Sequence, residues 1–242
     1  MAKEVLPYGD SGLGKKQQVR KMFDTISGNY DRLNRIMTLG ADQRWRSRLV
    51  RKVAERRPDS VLDIATGTGD LALALADTGA RRIVGLDLAP GMLEIGRTKV
   101  QKAGLEGQVE MVVGDSEALD FADASFDAVT VAFGVRNFEN LEQGLAEIYR
   151  VLRPGGMLAV LETSVPEKQP FKWGYRLHCR FVLPLMGKLL SGNASAYRYL
   201  SDSAAVFPYG DAFDNILGKI GFIGMNHAPQ TFGVATIYTA SK

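Results

Sequence analysis

The chain has 242 residues, 45% hydrophobic and 24% charged, which suits one globular domain with a full core. Its net charge of +3 does not imply nucleic acid, and its one cysteine, Cys179, excludes an internal disulfide and a multi-cysteine metal site. His178 and His227 are too few and too scattered for a metal cluster, so no metal is expected. No run of 18 apolar residues marks a membrane span and no apolar leader core is present, so the expectation is a cytoplasmic protein.

Residues 1–14 are rich in glycine and polar residues and are expected to be loose. Residues 15–57 read as helical, with breaks near Gly28 and Gly40. Within them, Gln43 to Arg57 carries seven basic residues against Glu55, and Trp45, Leu49 and Val53 form an apolar stripe that should pack on a core. Arg57-Pro58-Asp59 then closes the helical region. Val61 to Ala65 reads as a buried strand, Thr66-Gly67-Thr68-Gly69 as a turn, and residues 70–78 as a helix. Gly67 and Gly69 let the backbone pass close to a ligand. A second strand, 81–87, ends in Asp87, where an acid can accept hydrogen bonds from a ribose diol. A helix follows at 90–103, then a strand at 108–113 leading into Gly114-Asp115-Ser116. Next come a strand at 126–132, a helix at 140–152, the Arg153-Pro154-Gly155-Gly156 turn and a strand at 156–162. This alternation implies a parallel sheet covered by helices on both faces. Residues 163–208 form an aromatic and basic insertion, and 211–220 a helix. Phe222 to His227 and Gly233 to Ser241 read as an antiparallel edge pair, completing a mostly parallel seven-stranded sheet.

Gly67 to Ala72 satisfies the loose form of the dinucleotide fingerprint. Asp70 argues against that ligand, because it stands at the helix N-terminus where a pyrophosphate would bind, and a carboxylate there repels phosphate. A ligand with a ribose, no phosphate and a positive charge fits better, and S-adenosylmethionine is such a molecule. A nicotinamide oxidoreductase, an RNA methyltransferase using the basic N-terminal helix, and a non-catalytic regulator stay open as alternatives. After the fourth strand, Ala132 to Asn137 contains no proline, so the motif of exocyclic-amine methylation is missing. Cys179 reads as a small buried side chain and not as a nucleophile.

The glycine turn, the strand-tip acids and the Arg153–Gly156 turn resemble class I S-adenosylmethionine-dependent methyltransferases, whose fold is α/β and Rossmann-like. The flanking segments narrow this. Met22-Phe23-Asp24, Ser27 to Asn34, Phe133-Gly134-Val135-Arg136-Asn137, Glu147 to Gly156 with Leu161-Glu162, and Ser195 to Leu200 together resemble the ubiquinone/menaquinone biosynthesis C-methyltransferase family over residues 20–240. The resemblance implies carbon methylation of a polyprenylated quinol, demethylmenaquinol first and the benzoquinol of ubiquinone synthesis second. It places Thr68, Asp87, Asp115 and Ser116 on cofactor positions beside Gly67 and Gly69, and Tyr30, Arg136 and Asn137 near the quinol oxygens. Arginine stays protonated, so Arg136 is expected to stabilise a phenolate and not to act as a base. Two departures stand out: Ala132 replaces a common serine, and Thr163 replaces a common phenylalanine.

The implied organisation is a helical cap at 15–57, a cofactor core at 60–162, a lid at 163–208, and a final helix with edge strands at 209–242. Trp173, Leu177 and Phe181 would share one face of a lid helix ended by Pro184, amid basic residues. Expected partners are the quinol and, transiently, the inner membrane surface, without nucleic acid; a homodimer is left open.

Overall fold

The computed structural model describes residues 5–9, 11–177 and 194–242. The expectations for His178, Cys179, Phe181 and Pro184 lie outside those residues. The strands are β1 (Ser60–Ile64), β2 (Arg82–Asp87), β3 (Val109–Val113), β4 (Phe126–Ala132), β5 (Leu152–Thr163), β6 (Ile223–Gln230) and β7 (Ala235–Ser241). They form one sheet in the order β3-β2-β1-β4-β5-β7-β6. β1 to β5 are parallel, and β7 runs antiparallel to both β5 and β6. The chain order reverses between β1 and β4, so the carboxyl ends of these two strands are where a ligand crevice forms.

The helices are α1 (Lys15–Ile26), α2 (Tyr30–Met37), α3 (Ala41–Ala54), α4 (Asp70–Ala74), α5 (Pro90–Ala103), α6 (Leu141–Val151), α7 (Phe171–Leu177), α8 (Ala194–Val206) and α9 (Asp211–Ile220). Every residue of β1 is buried, as a central parallel strand covered on both sides requires. Leu62, Val129 and Val160 pack with Leu145 and Ile148 of α6 and Phe213 and Leu217 of α9. Val61, Ala128 and Ala159 pack on the other side with α4, α5 and the Trp45, Leu49 and Val53 stripe of α3. The basic residues of α3 therefore border a helix whose apolar face is in the core. A third cluster joins Met22, Ile26 and Leu33 of the N-terminal helices to Met92 of α5 and to Ala196 and Tyr199 of α8. It brings the two ends of the chain's helical cap together next to the tip of β2.

Three expectations are corrected. Tyr8, Gly9 and Leu13, before α1, are held in place: the fully buried Gln18 donates to the carbonyls of Gly9 and Leu13 and accepts from the Tyr8 amide. The helix after the glycine turn is α-helical only to Ala74, then tightens into a 3₁₀ turn at Leu75–Thr78. β5 begins at Leu152, ahead of the Arg153–Gly156 turn, because Leu152 already pairs with Phe126.

Candidate active site

Two cavities open at the carboxyl ends of β1 and β4, and Tyr30 and Phe133 line both. The first is lined by Gly67, Asp87, Asp115, Ser116 and Glu117, with Lys16 reaching in from α1. The Asp87 carboxylate accepts from the amides of Gly67 at 2.8 Å and Ala89 at 2.9 Å, so it is aimed by the glycine turn itself. Burial pushes its pKa up, against those backbone donors. Asp115 accepts from the Glu117 amide at 2.9 Å and from Lys16 Nζ at 2.7 Å, and Lys16 also pairs with Glu117 at 3.3 Å. Burial opposes the charge on Lys16, but Asp115 and Glu117 outweigh it and raise its pKa. At Gly67, φ is +58°, and a Cβ there would point into this cavity with only Tyr30 Cε1 nearby, at 3.9 Å. The strand-tip carboxylate of Asp87, two further acids and a bare backbone at Gly67 suit a nucleoside that carries a diol and positive charge.

The second cavity, about 460 Å³, is of a size that takes a small organic ligand. Its walls are mostly apolar and aromatic, among them Met37, Trp45, Phe133, Phe171 and Phe232. Arg136 lies in its wall on the turn after β4. Its Nη1 donates to the Glu162 carboxylate and, at 2.9 Å, to the Phe133 carbonyl, while its Nε is buried without a hydrogen-bond partner. Burial works against the Arg136 charge, and Glu162 more than offsets it, holding its pKa above the ordinary arginine value. The Tyr30 phenol hydrogen-bonds Asn34; burial raises its pKa, so it stays protonated at neutral pH. Among the cavity's lining residues Leu39 and Phe232 are 86% and 68% exposed, and Phe171 stacks on Phe232 at 3.7 Å; Trp173, two residues after Phe171, is 64% exposed. The lid-helix face expected at Trp173 and Leu177 is thus turned outward.

The sequence-based site is partly redistributed. Gly67, Asp87, Asp115 and Ser116 meet at one cavity, with Tyr30 between it and the second. Thr68 does not line either cavity: it is buried, donates to Asp31 at 2.6 Å and accepts from Lys99 at 3.0 Å. Gly69 also faces away, against Met111 and Gly96, where its bareness serves packing. Asp70 is paired with Lys99 at 2.5 Å, so its charge is compensated and its repulsion of phosphate is weaker than the sequence suggested. Asn137 lines the nucleoside-side cavity and accepts from the Tyr199 hydroxyl at 3.1 Å; Arg136 alone of the Arg136-Asn137 pair faces the apolar one. Glu162 was missed as a functional residue. It is an acid at the tip of an otherwise apolar strand, the same signal that marked Asp87. Lys16 had no such signal, since its partners are 99 and 101 positions away. His227 is less isolated than its sequence position implied, because its Nδ1 lies 2.6 Å from Asp214.

Comparison with known proteins agrees with this geometry. The chain matches the ubiE/COQ5 methyltransferase family over residues 12–242. It is 42% identical over 240 residues to a demethylmenaquinone methyltransferase of Bacteroides fragilis, covering 99% of this chain and 98% of that protein. It is 47% identical over 222 residues to a demethylmenaquinone methyltransferase of Thermus thermophilus, covering 91% and 100%. A ubiquinone/menaquinone biosynthesis C-methyltransferase UbiE of Geotalea daltonii is 42% identical over 230 residues, covering 94% and 97%. Among solved structures, an S-adenosylmethionine-dependent methyltransferase of Thermotoga maritima superposes with a TM-score of 0.66 at 18% identity, over 92% of this chain and 99% of that one. A phosphoethanolamine N-methyltransferase of Haemonchus contortus, solved with S-adenosyl-L-methionine, gives 0.56 at 18% identity over 76% and 48%. The seven-stranded sheet is thus the class I methyltransferase fold, and the chain belongs to the ubiE/COQ5 methyltransferase family, as an S-adenosylmethionine-dependent methyltransferase of quinone biosynthesis.

Proposed function

We propose that the chain methylates demethylmenaquinol to menaquinol, taking the lipid acceptor from a membrane surface. The carrying observation is the apolar 460 Å³ cavity that shares Tyr30 and Phe133 with the acid-lined one. The Trp45 and Phe133 rings, 6.3 Å apart, give it aromatic walls suited to a fused bicyclic ring. The printed names of the Bacteroides and Thermus relatives support the naphthoquinol over the benzoquinol.

S-adenosylmethionine supplies an electrophilic methyl group on a sulfonium, and Gly67, Asp87, Asp115 and Ser116 are the residues that would hold it. The remaining work falls to the acceptor side. A ring carbon becomes nucleophilic only when an adjacent hydroxyl carries negative charge, so the reduced quinol is the substrate and the oxidised quinone is not. Arg136, fixed by Glu162, stabilises that oxygen as it deprotonates. Tyr30, kept neutral by burial, donates to it and does not act as the base. The apolar walls exclude water that would otherwise solvate the charges.

The tail leaves by the mouth lined by Leu39, Phe171 and Phe232, with Lys168, Lys172 and the exposed Trp173 close in sequence to Phe171. Exposed aromatic and aliphatic side chains bordered by cations suit a bilayer interface. Leu39, Thr231 and Phe232 hold φ of +51°, +44° and +59°, strained for such residues, which projects Leu39 and Phe232 outward. Among the described residues no helix is long and apolar enough to cross a membrane, so contact would be with the surface only.

The test is turnover of labelled S-adenosylmethionine with a short-tailed demethylnaphthoquinone or a matching benzoquinone, each with and without dithionite. Methylation of the reduced naphthoquinone above the reduced benzoquinone is expected. Equal turnover without reductant sinks the mechanism, and preference for the benzoquinol sinks the assignment of acceptor. Flotation with anionic vesicles, lost in a Leu39→Ser, Phe232→Ser variant, tests the surface contact.

A further inference from the structure

The acceptor cavity contains a second guanidinium to which no role has been given. Arg46 and Asp42 stand four residues apart on the first turn of α3, and both line the cavity. Their side chains are 11% and 3% exposed. Asp42 uses both oxygens within the protein, accepting from Thr38 Oγ1 at 2.7 Å and from Arg46 Nη1 at 2.5 Å. Arg46 is therefore held by one nitrogen. Among the described residues its remaining donors make no hydrogen bond, and its Cζ stands 5.7 Å from the centre of the Phe133 ring. Among the described residues Arg46 and Arg136 are the two cations lining this cavity. The Arg46 charge also reaches the Tyr30 phenol, which it favours toward ionisation.

An ion pair buried in a mostly apolar cavity is a poor way to stabilise a helix start, since apolar residues of the same volume do as well or better. It is a good way to present free, rigidly held donors to a ligand. The guanidinium is planar, permanently charged, and forms directional bonds with oxygen. On the quinol reading above, the acceptor has two ring oxygens para to each other. The carbon to be methylated neighbours one, and the carbon bearing the tail neighbours the other. Arg136 and Tyr30 serve the first.

We propose that Arg46, held in place by Asp42 and Thr38, hydrogen-bonds the second ring oxygen, beside the tail-bearing carbon, and so holds the one free carbon of the quinol ring toward the methyl donor. The proposal rests on the quinol assignment. Arg46 is then a specificity-determining contact, and α3 forms part of the acceptor site as well as the core.

The test crosses two acceptors with two proteins. One acceptor is a short-prenyl 1,4-naphthalenediol; the other is the same compound lacking the oxygen beside the prenyl carbon. Wild type should lose roughly 10- to 150-fold in kcat/KM on the deoxy compound, the range for a hydrogen bond to a charged group. The Arg46→Met, Asp42→Asn double variant, which leaves no uncompensated carboxylate, should fall by a similar factor on the diol and little on the deoxy compound. The ratio between acceptors should thus collapse toward one. A variant that loses equally on both acceptors, with the ratio intact, overturns the proposal in favour of a purely structural pair. If the double variant fails to fold, Arg46→Lys keeps the charge near Asp42 without the planar fork, and should give an intermediate ratio; an unchanged ratio there also overturns it. Failure of the quinol reading looks different: wild type then methylates neither compound.

Discussion

Glu162→Gln isolates the charge that Arg136 depends on. Glutamine keeps an oxygen for the Thr163 amide, which Glu162 Oε1 accepts at 2.7 Å, and removes the negative charge together with the weak acceptor that Oε2 offers the Arg136 amide at 3.4 Å. The two side chains are 7% and 0% exposed, so neither ion is rescued by water when its partner is lost. At an effective dielectric of about 20, charges about 4 Å apart attract by about 4 kcal/mol. Breaking a buried pair from one side costs about 3–5 kcal/mol, because the survivor stays uncompensated. Glu162→Gln and Arg136→Met should each lower stability by about that amount, and the double variant by much less than the sum. Denaturant unfolding of the four proteins gives the coupling directly. In single-turnover assays Arg136→Met should slow methylation by about 10²–10³, with cofactor affinity within a few-fold, because the proposed cofactor contacts are at Asp87 and Asp115. Additive stability losses would refute the picture of one ionic unit. Near-normal turnover in a folded Arg136→Met protein would remove Arg136 from the chemistry.

Asp87→Asn should weaken cofactor binding by about 1.5–3 kcal/mol, since a charge-assisted contact to the ribose is lost and, with one acceptor oxygen in place of two, asparagine serves only one of the Gly67 and Ala89 amides; calorimetric titration decides it, and an unchanged affinity would exclude Asp87. Gly67→Ala should spare stability more than cofactor binding. Gly69→Ala should do the reverse, by about 1–3 kcal/mol, because its Cβ would lie 2.1 Å from Met111 Cε; matched thermal melts and titrations separate the two. Asp63 is fully buried, and burial pushes its pKa up to about 6 against hydrogen bonds from Thr66 and Thr130. A carboxyl raised in the folded state favours folding below about pH 4 and loses that contribution as pH rises through about 6, some 3 kcal/mol in all. The stability of wild type relative to Asp63→Asn should fall over that window, and parallel pH curves for the two proteins would contradict it.

The order of strands and helices was legible because each signal was local. β1 is an apolar run ended by a glycine turn, α5 opens on Pro90 and closes on Gly104, and the Trp45 stripe has helical spacing. The acid at the tip of β2 was legible for the same reason. Lys16 with Asp115, Thr68 with Asp31, and Arg136 with Glu162 were not, because each pair joins elements distant in sequence and its geometry exists only after the sheet has formed. Thr68 and Gly69 show the converse: in the sequence they look like ligand residues, yet Thr68 bonds Asp31 and Lys99 and Gly69 packs on Met111 and Gly96, partners distant in sequence.

Because Tyr30 and Phe133 belong to both cavities, the wall between the two ligand sites is only one side chain thick there. That makes the enzyme open to a single inhibitor spanning both. An adenosine-like group and a naphthol-like group, each binding at about 10 µM, could be joined by a tether of a few atoms. At an effective concentration of about 1 mM the linked molecule would bind at about 100 nM, with no contact that the separate fragments lack. Its selectivity would come from the tether. Other methyltransferases of this fold share the nucleoside half, but only an acceptor cavity meeting the cofactor cavity at the same two side chains accepts both ends at once.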